Sequence, residues 1–142
     1  MTTPDDHALL RRAIALAARA REGGDPPFGS LLAAPDGTVL AEEYNTTLTD
    51  RDITAHPELK LARWAARELD RATAARTTMY TSCRPCTMCE AVIQRAGLGR
   101  VVFALSDEQL LDIRPAADLP PVPQTGPALL AEVRAVVEPY YR

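Results

Sequence analysis

Between residues 8 and 20 the apolar side chains recur at helical spacing. Leu9, Leu10, Ala13, Ile14, Leu16 and Ala17 share one side, and Arg11, Arg12, Arg19 and Arg21 fall toward solvent. Thr3 fits the cap of this predicted helix, Pro4 its first position, and Asp5 and Asp6 its positive end; Gly23-Gly24 stops it. The pattern then turns extended. Phe28 to Ala34 is a short apolar run, Pro35-Asp36-Gly37 is turn chemistry, and Thr38 to Tyr44 resumes the extended pattern, which predicts a β-hairpin. Asn45 to Ile53 is polar and reads as a loop. Helical spacing returns from Thr54, read as a cap, to about Leu69. Leu59, Ala62, Arg63, Ala66 and Leu69 mark the spacing, Leu61, Trp64 and Ala65 widen the apolar side, and Pro57 is confined to the first turn.

Met79 to Ser82 predicts a third strand, Cys86 to Ala96 a third helix ended by Gly97, and Arg100 to Leu105 a fourth strand. Ser106 caps a short helix, Asp107 to Leu111. Pro115, Pro120, Pro121, Pro123 and Pro127 then mark a loop, with a short edge strand near Pro121 to Gln124 and a last helix from Pro127 to Val137. This order predicts a single domain over residues 1–142, a three-layer α/β/α sandwich with a mixed central sheet of four to five strands. In it His56 and Cys86 stand at the starts of two neighbouring helices.

Composition alters this picture little. Hydrophobic residues at 46% and charged residues at 25% are those of an ordinary globular chain. The net charge is −3 and Lys60 is the only lysine, which counts against a nucleic-acid partner. No run of about 18 apolar residues is present to span a membrane. Met1 to His7 is polar and acidic, unlike a secretion signal, so a cytoplasmic location is expected.

The candidate chemistry lies in Thr81-Ser82-Cys83-Arg84-Pro85-Cys86-Thr87-Met88-Cys89. Cys86 and Cys89 are one helical turn apart at a helix start, where the dipole favours thiolate. Two thiolates there make half of a tetrahedral zinc site, and His56-Pro57-Glu58 is the candidate for the rest. If His56 joins the two cysteines, a fourth position stays open for water, whose pKa zinc lowers toward about 7. Glu58, left unligated, can carry a proton. If Cys83 joins as well, the site closes and is structural only. A regular helix would point His56 and Glu58 to nearly opposite sides, so their cooperation requires that they lie where the helix begins. A thiol oxidoreductase reading of Cys86-x-x-Cys89 leaves His56-Pro57-Glu58 unexplained.

The His-x-Glu and Pro-Cys-x-x-Cys pattern resembles that of the cytidine-deaminase superfamily. Pro27-Phe28-Gly29-Ser30, Asn45, Thr54-Ala55-His56-Pro57-Glu58, the strand Met79 to Ser82 and Gly99-Arg100-Val101-Val102-Phe103 follow in the order that family shows. The chain looks most like the branch of guanine deaminases, other small nucleobase and nucleoside deaminases, and bacterial tRNA adenosine deaminases. The resemblance implies one zinc ion per subunit on His56, Cys86 and Cys89, with Glu58 as proton shuttle. It implies substrate binding by Asn45 and Phe28. Arg84, beside the metal loop, and Tyr141, in the tail, are further candidates for the substrate pocket on their position alone. The resemblance also implies a homodimer acting on a small base or nucleoside, a guanine-like purine first. Deamination of adenosine in a tRNA anticodon loop is the second expectation, and a non-catalytic Cys₃His zinc protein the third. Three departures bear on the substrate: Pro57 replaces the usual alanine, Arg84 replaces a common glutamate, and Ser106 to Gln124 is short and proline-rich.

Overall fold

Leu31 and Leu32 are adjacent and both fully buried, because the strand that carries them has a helical layer on each face. In the computed structural model, which describes residues 1–142, that strand is β1 (Gly29–Ala33). It pairs antiparallel with β2 (Val39–Tyr44) on one side and with β3 (Thr78–Cys83) on the other. β3 continues in parallel to β4 (Arg100–Leu105), so the mixed sheet runs β2-β1-β3-β4. Helix α1 (Pro4–Glu22) lies on one face, where Leu10 packs with Leu31, Ala33, Tyr80 and Val102. Helices α2 (Pro57–Glu68) and α4 (Thr87–Ala96) lie on the other, where Leu61, Ala62, Ala65 and Ile93 pack with Leu32 and Met79. Each large side chain so buried contributes about 1.5–3 kcal/mol. The expected three layers are present, with four strands. No helix is long and apolar enough to cross a membrane.

The layers touch closely. A Cβ placed on Gly29 would meet the backbone of α1 at 2.4 Å from Ala17 N and 2.5 Å from Ala13 O. Asp6 fastens the same face. It is buried, completes a capping box with Thr3, and accepts from Tyr80 Oη at 2.7 Å and Arg100 Nη2 at 3.0 Å. These contacts, the Arg100 bond first, hold the Asp6 carboxyl well below the usual carboxylate range. Asp6→Ala removes the cap and strands the Tyr80 hydroxyl, and should cost about 2–3 kcal/mol at pH 7. A depressed pKa stabilises only above the unfolded value, about 3.9 for Asp. The gap between parent and variant, read by urea melts, should therefore be constant above about pH 5 and narrow progressively as the pH falls below about 4 toward the lowered folded-state value. A gap of the same size at about pH 2 as at pH 7 would assign the effect to packing instead.

Three expected boundaries shift. Helix α2 starts at Pro57, with His56 and not Thr54 as its cap. Thr54 is already committed: its N–H and hydroxyl both donate to Asp52 Oδ1, at 2.8 and 2.7 Å, in a local turn. The edge strand near Pro121 to Gln124 does not form; Pro121 and Pro123, and Pro120 just before them, have no N–H to donate. The last helix, α6 (Leu130–Tyr141), begins later than Pro127 and runs past Val137 through Pro139. Its end is held by Glu138, which accepts from Arg134 and from Arg142 one turn to either side. A short helix, α3 (Arg71–Ala75), capped by Asp70, was not expected. The capped helix after β4, α5, spans Asp107–Ile113.

Candidate active site

The starts of α2 and α4 meet. His56 caps the first helix and Cys86 the second, both in extended backbone, and neither uses its side chain for capping. Their ligand atoms are thereby free to converge. His56 Nδ1 lies 3.7 Å from Cys86 Sγ and 3.5 Å from Cys89 Sγ, and the three ligand atoms lie within 4.8 Å of one another. Tetrahedral zinc with bonds near 2.0 Å to nitrogen and 2.3 Å to sulfur places those atoms about 3.6 Å apart. The donor set and spacing therefore fit zinc. The Cys86 thiol is held down at about 3, first by the Cys89 hydrogen bond and then by His56. Cys89 is pushed up by the same contact and by burial. Cys83, at the end of β3, is buried but does not join the group, so a four-ligand site is not assembled.

Because His56 precedes the first helical residue, the helical wheel does not separate it from Glu58. Glu58 falls in the first turn, is 7% exposed, and is not among the metal-ligating atoms. Burial first of all pushes its carboxyl up to about 6. Ser30 on β1 stands behind it, its Oγ 3.4 Å from Glu58 Oε1 and 2.7 Å from Thr81 Oγ1.

These groups open into a cavity of about 220 Å³ lined by His56, Glu58, Phe28, Asn45, Arg84 and Cys86 among others. Asn45 is buried and its Oδ1 accepts from Thr47 N and Thr47 Oγ1, both at 2.9 Å, the Asx turn that a loop asparagine commonly makes. That leaves its amide N–H₂ as the group available to a ligand. The loop is pinned by Asp25, whose Oδ1 accepts from Leu48 N and Thr49 N at 3.0 and 2.9 Å. Phe28 and Arg84 also line the cavity.

Tyr141 does not. It is 79% exposed on α6, none of whose residues is buried, and its ring stacks edge-on against Tyr140. The proline-rich stretch before α6 carries that helix away from the pocket of its own chain. Sequence reasoning also missed Arg114, Asp107 and Leu110, which α5 and its cap supply to the rim, and Ser30 behind Glu58. The capping pattern of α5 was readable, but nothing local to it indicates what it faces.

Residues 3–105 match the family described as "Cytidine and deoxycytidylate deaminase zinc-binding region". A probable cytosine deaminase of Schizosaccharomyces pombe is 33% identical over 121 residues, covering 82% of this chain and 71% of that protein. A tRNA-specific adenosine deaminase of Haemophilus influenzae is 31% identical over 102 residues, covering 72% of this chain and 59% of that protein. The crystal structure of guanine deaminase from Bacillus subtilis superposes with a TM-score of 0.78 at 27% identity, covering 95% of this chain and 92% of that one. With the geometry and the matched span in agreement, this chain belongs to the zinc-dependent cytidine and deoxycytidylate deaminase family, hydrolases that act on C–N bonds.

Proposed function

We propose that residues 1–142 form one hydrolytic deaminase unit for a small aminated ring, a nucleobase or nucleoside. A guanine-like purine is the first ring to test, because a solved structure similar over 95% of this chain is a guanine deaminase. The observation that carries the reading is Glu58, a buried, unligated carboxyl raised to about 6, beside three ligand atoms spaced for zinc. Zinc held by His56, Cys86 and Cys89 supplies Lewis acidity that makes water acidic enough to attack near neutral pH. Glu58 takes a proton from the attacking water and returns it to the departing amino group, so that the ring gains oxygen and ammonia leaves. Ser30 orients the carboxylate from behind. The Asn45 amide donates to the ring and Phe28 packs on it, while the narrow cavity limits bulk water.

Ammonia release from guanine, cytosine, adenine, their nucleosides and aminated triazines tests the proposal. Turnover of none by zinc-loaded protein would refute it. The tRNA reading is favoured by the Haemophilus relative and opposed by the single lysine and net charge of −3. Salt-sensitive binding of tRNA with inosine formation would replace the small-substrate reading.

We further infer a cytoplasmic homodimer. The support for the dimer is α6, whose Val133, Val136, Val137, Tyr140 and Tyr141 are exposed and none of whose residues is buried. Sedimentation should give twice the 15.4 kDa of one chain, and removal of residues 115–142 should give the monomer. A monomeric full-length chain contradicts the inference.

A further inference from the structure

The cavity has a polar, metal-facing wall and a basic rim. At about 220 Å³ it is smaller than the usual 300–1,000 Å³ of ligand pockets, so it holds a single small ring and leaves any substituent at the mouth. The mouth carries two guanidinium groups. Arg84 is anchored by its backbone, whose N–H donates to Leu105 O at 2.9 Å; its half-exposed side chain meets only Asp107, at 3.3 Å, itself more than half exposed. An exposed pair of that kind contributes little and yields readily to a better partner. Arg114 follows α5 as its C-terminal cap, with its N–H on Leu110 O at 3.0 Å. Its guanidinium carbon stands 5.7 Å from the centroid of the Phe28 ring, and no carboxylate pairs with it. The rim is therefore net positive on a chain whose net charge is −3.

We propose that Arg84 and Arg114 bind an oxyanion, a phosphate ester or a carboxylate, carried by the aminated ring that the pocket holds. The proposal rests on the deaminase reading and narrows it to anionic substrates. The planar guanidinium fork matches both oxyanions with paired hydrogen bonds, which an ammonium group does not. The Phe28 ring holds the Arg114 guanidinium at the mouth, so part of the ordering is done before substrate arrives. Two cations lining one small cavity suit a single terminal oxyanion. A nucleic-acid backbone instead requires a row of several cations.

The test compares kcat/KM of the zinc-loaded full chain on matched pairs. These are cytidine, guanosine and adenosine against their 5′-monophosphates, and cytosine against cytosine-5-carboxylate; the two arms distinguish phosphate from carboxylate. At least one anionic member should exceed its neutral parent by about 10-fold or more. In Arg84→Gln/Arg114→Gln that ratio should fall to about 1, through KM and not kcat. A merely structural role would lower both members of a pair together and leave the ratio unchanged. Neutral rings turned over as well as anionic ones, or a preference that survives the double variant, overturns the proposal and leaves the deaminase reading intact. Turnover of no ring removes both.

Discussion

Glu58→Gln should lower kcat by at least about 100-fold while zinc stays bound at one ion per chain. Glutamine keeps the size of glutamate and its contact with Ser30 Oγ, so the cavity retains its shape. What it loses is the capacity to accept a proton and give it back, which ordinarily contributes 10²- to 10⁴-fold. Stability separates this from a structural defect. Burial raises the Glu58 carboxyl to about 6, so the folded chain holds a proton that the unfolded chain releases near 4. The sign follows: the charged form opposes folding, and stability falls as the pH rises from about 4 through 6. Removing that charge should leave the melting midpoint of metal-stripped protein at pH 7 unchanged or higher. A drop in rate together with a stable fold and full zinc content, read by metal analysis, identifies a proton carrier. Loss of zinc would make Glu58 a ligand, and an undiminished rate would remove it from the reaction.

The elements that the sequence discloses are those whose signals are local. Thr3, Pro4 and Asp6 write the start of α1 in four residues, and Gly97, at φ 76°, writes the end of α4. The alternation of β1 was hidden because both of its faces are buried, yet a short apolar run ahead of Pro35-Asp36-Gly37 was enough to place it. The start of α2 was misread because Asp52 competes for Thr54, a choice between two polar neighbours that spacing does not rank. The edge strand and the start of α6 failed in the proline-rich stretch, where no periodicity exists to read. The metal group was legible because three residues of two types, histidine and cysteine, with few other shared uses occur at characteristic spacings. Arg114 and Ser30 were not, since each acquires its role only by facing a residue distant in sequence: Phe28 in one case, Glu58 in the other. Tyr141 shows the converse, a tail residue expected at the pocket that its own chain leaves exposed on α6.

Cys89→Ser should abolish zinc binding and activity together, and Cys83→Ser should abolish neither. Cys89 is fully buried in the first turn of α4, and its sulfur is the ligand atom nearer to His56 Nδ1. A serine hydroxyl is a poor exchange for thiolate on zinc, and two remaining donors do not hold the ion against a chelator. Binding to the folded chain alone stabilises it in proportion to the logarithm of metal over Kd, about 4 kcal/mol at a thousandfold excess. For a chain of this length that raises the melting midpoint by roughly 10 °C. Zinc should therefore shift the parent and Cys83→Ser alike, and leave Cys89→Ser where it began. Cys83 lies outside the ligand group, so its replacement probes the number of ligands directly. If Cys83→Ser also loses zinc and its thermal shift, four side chains grip the ion, no position remains for water, and the hydrolytic mechanism fails at its first step.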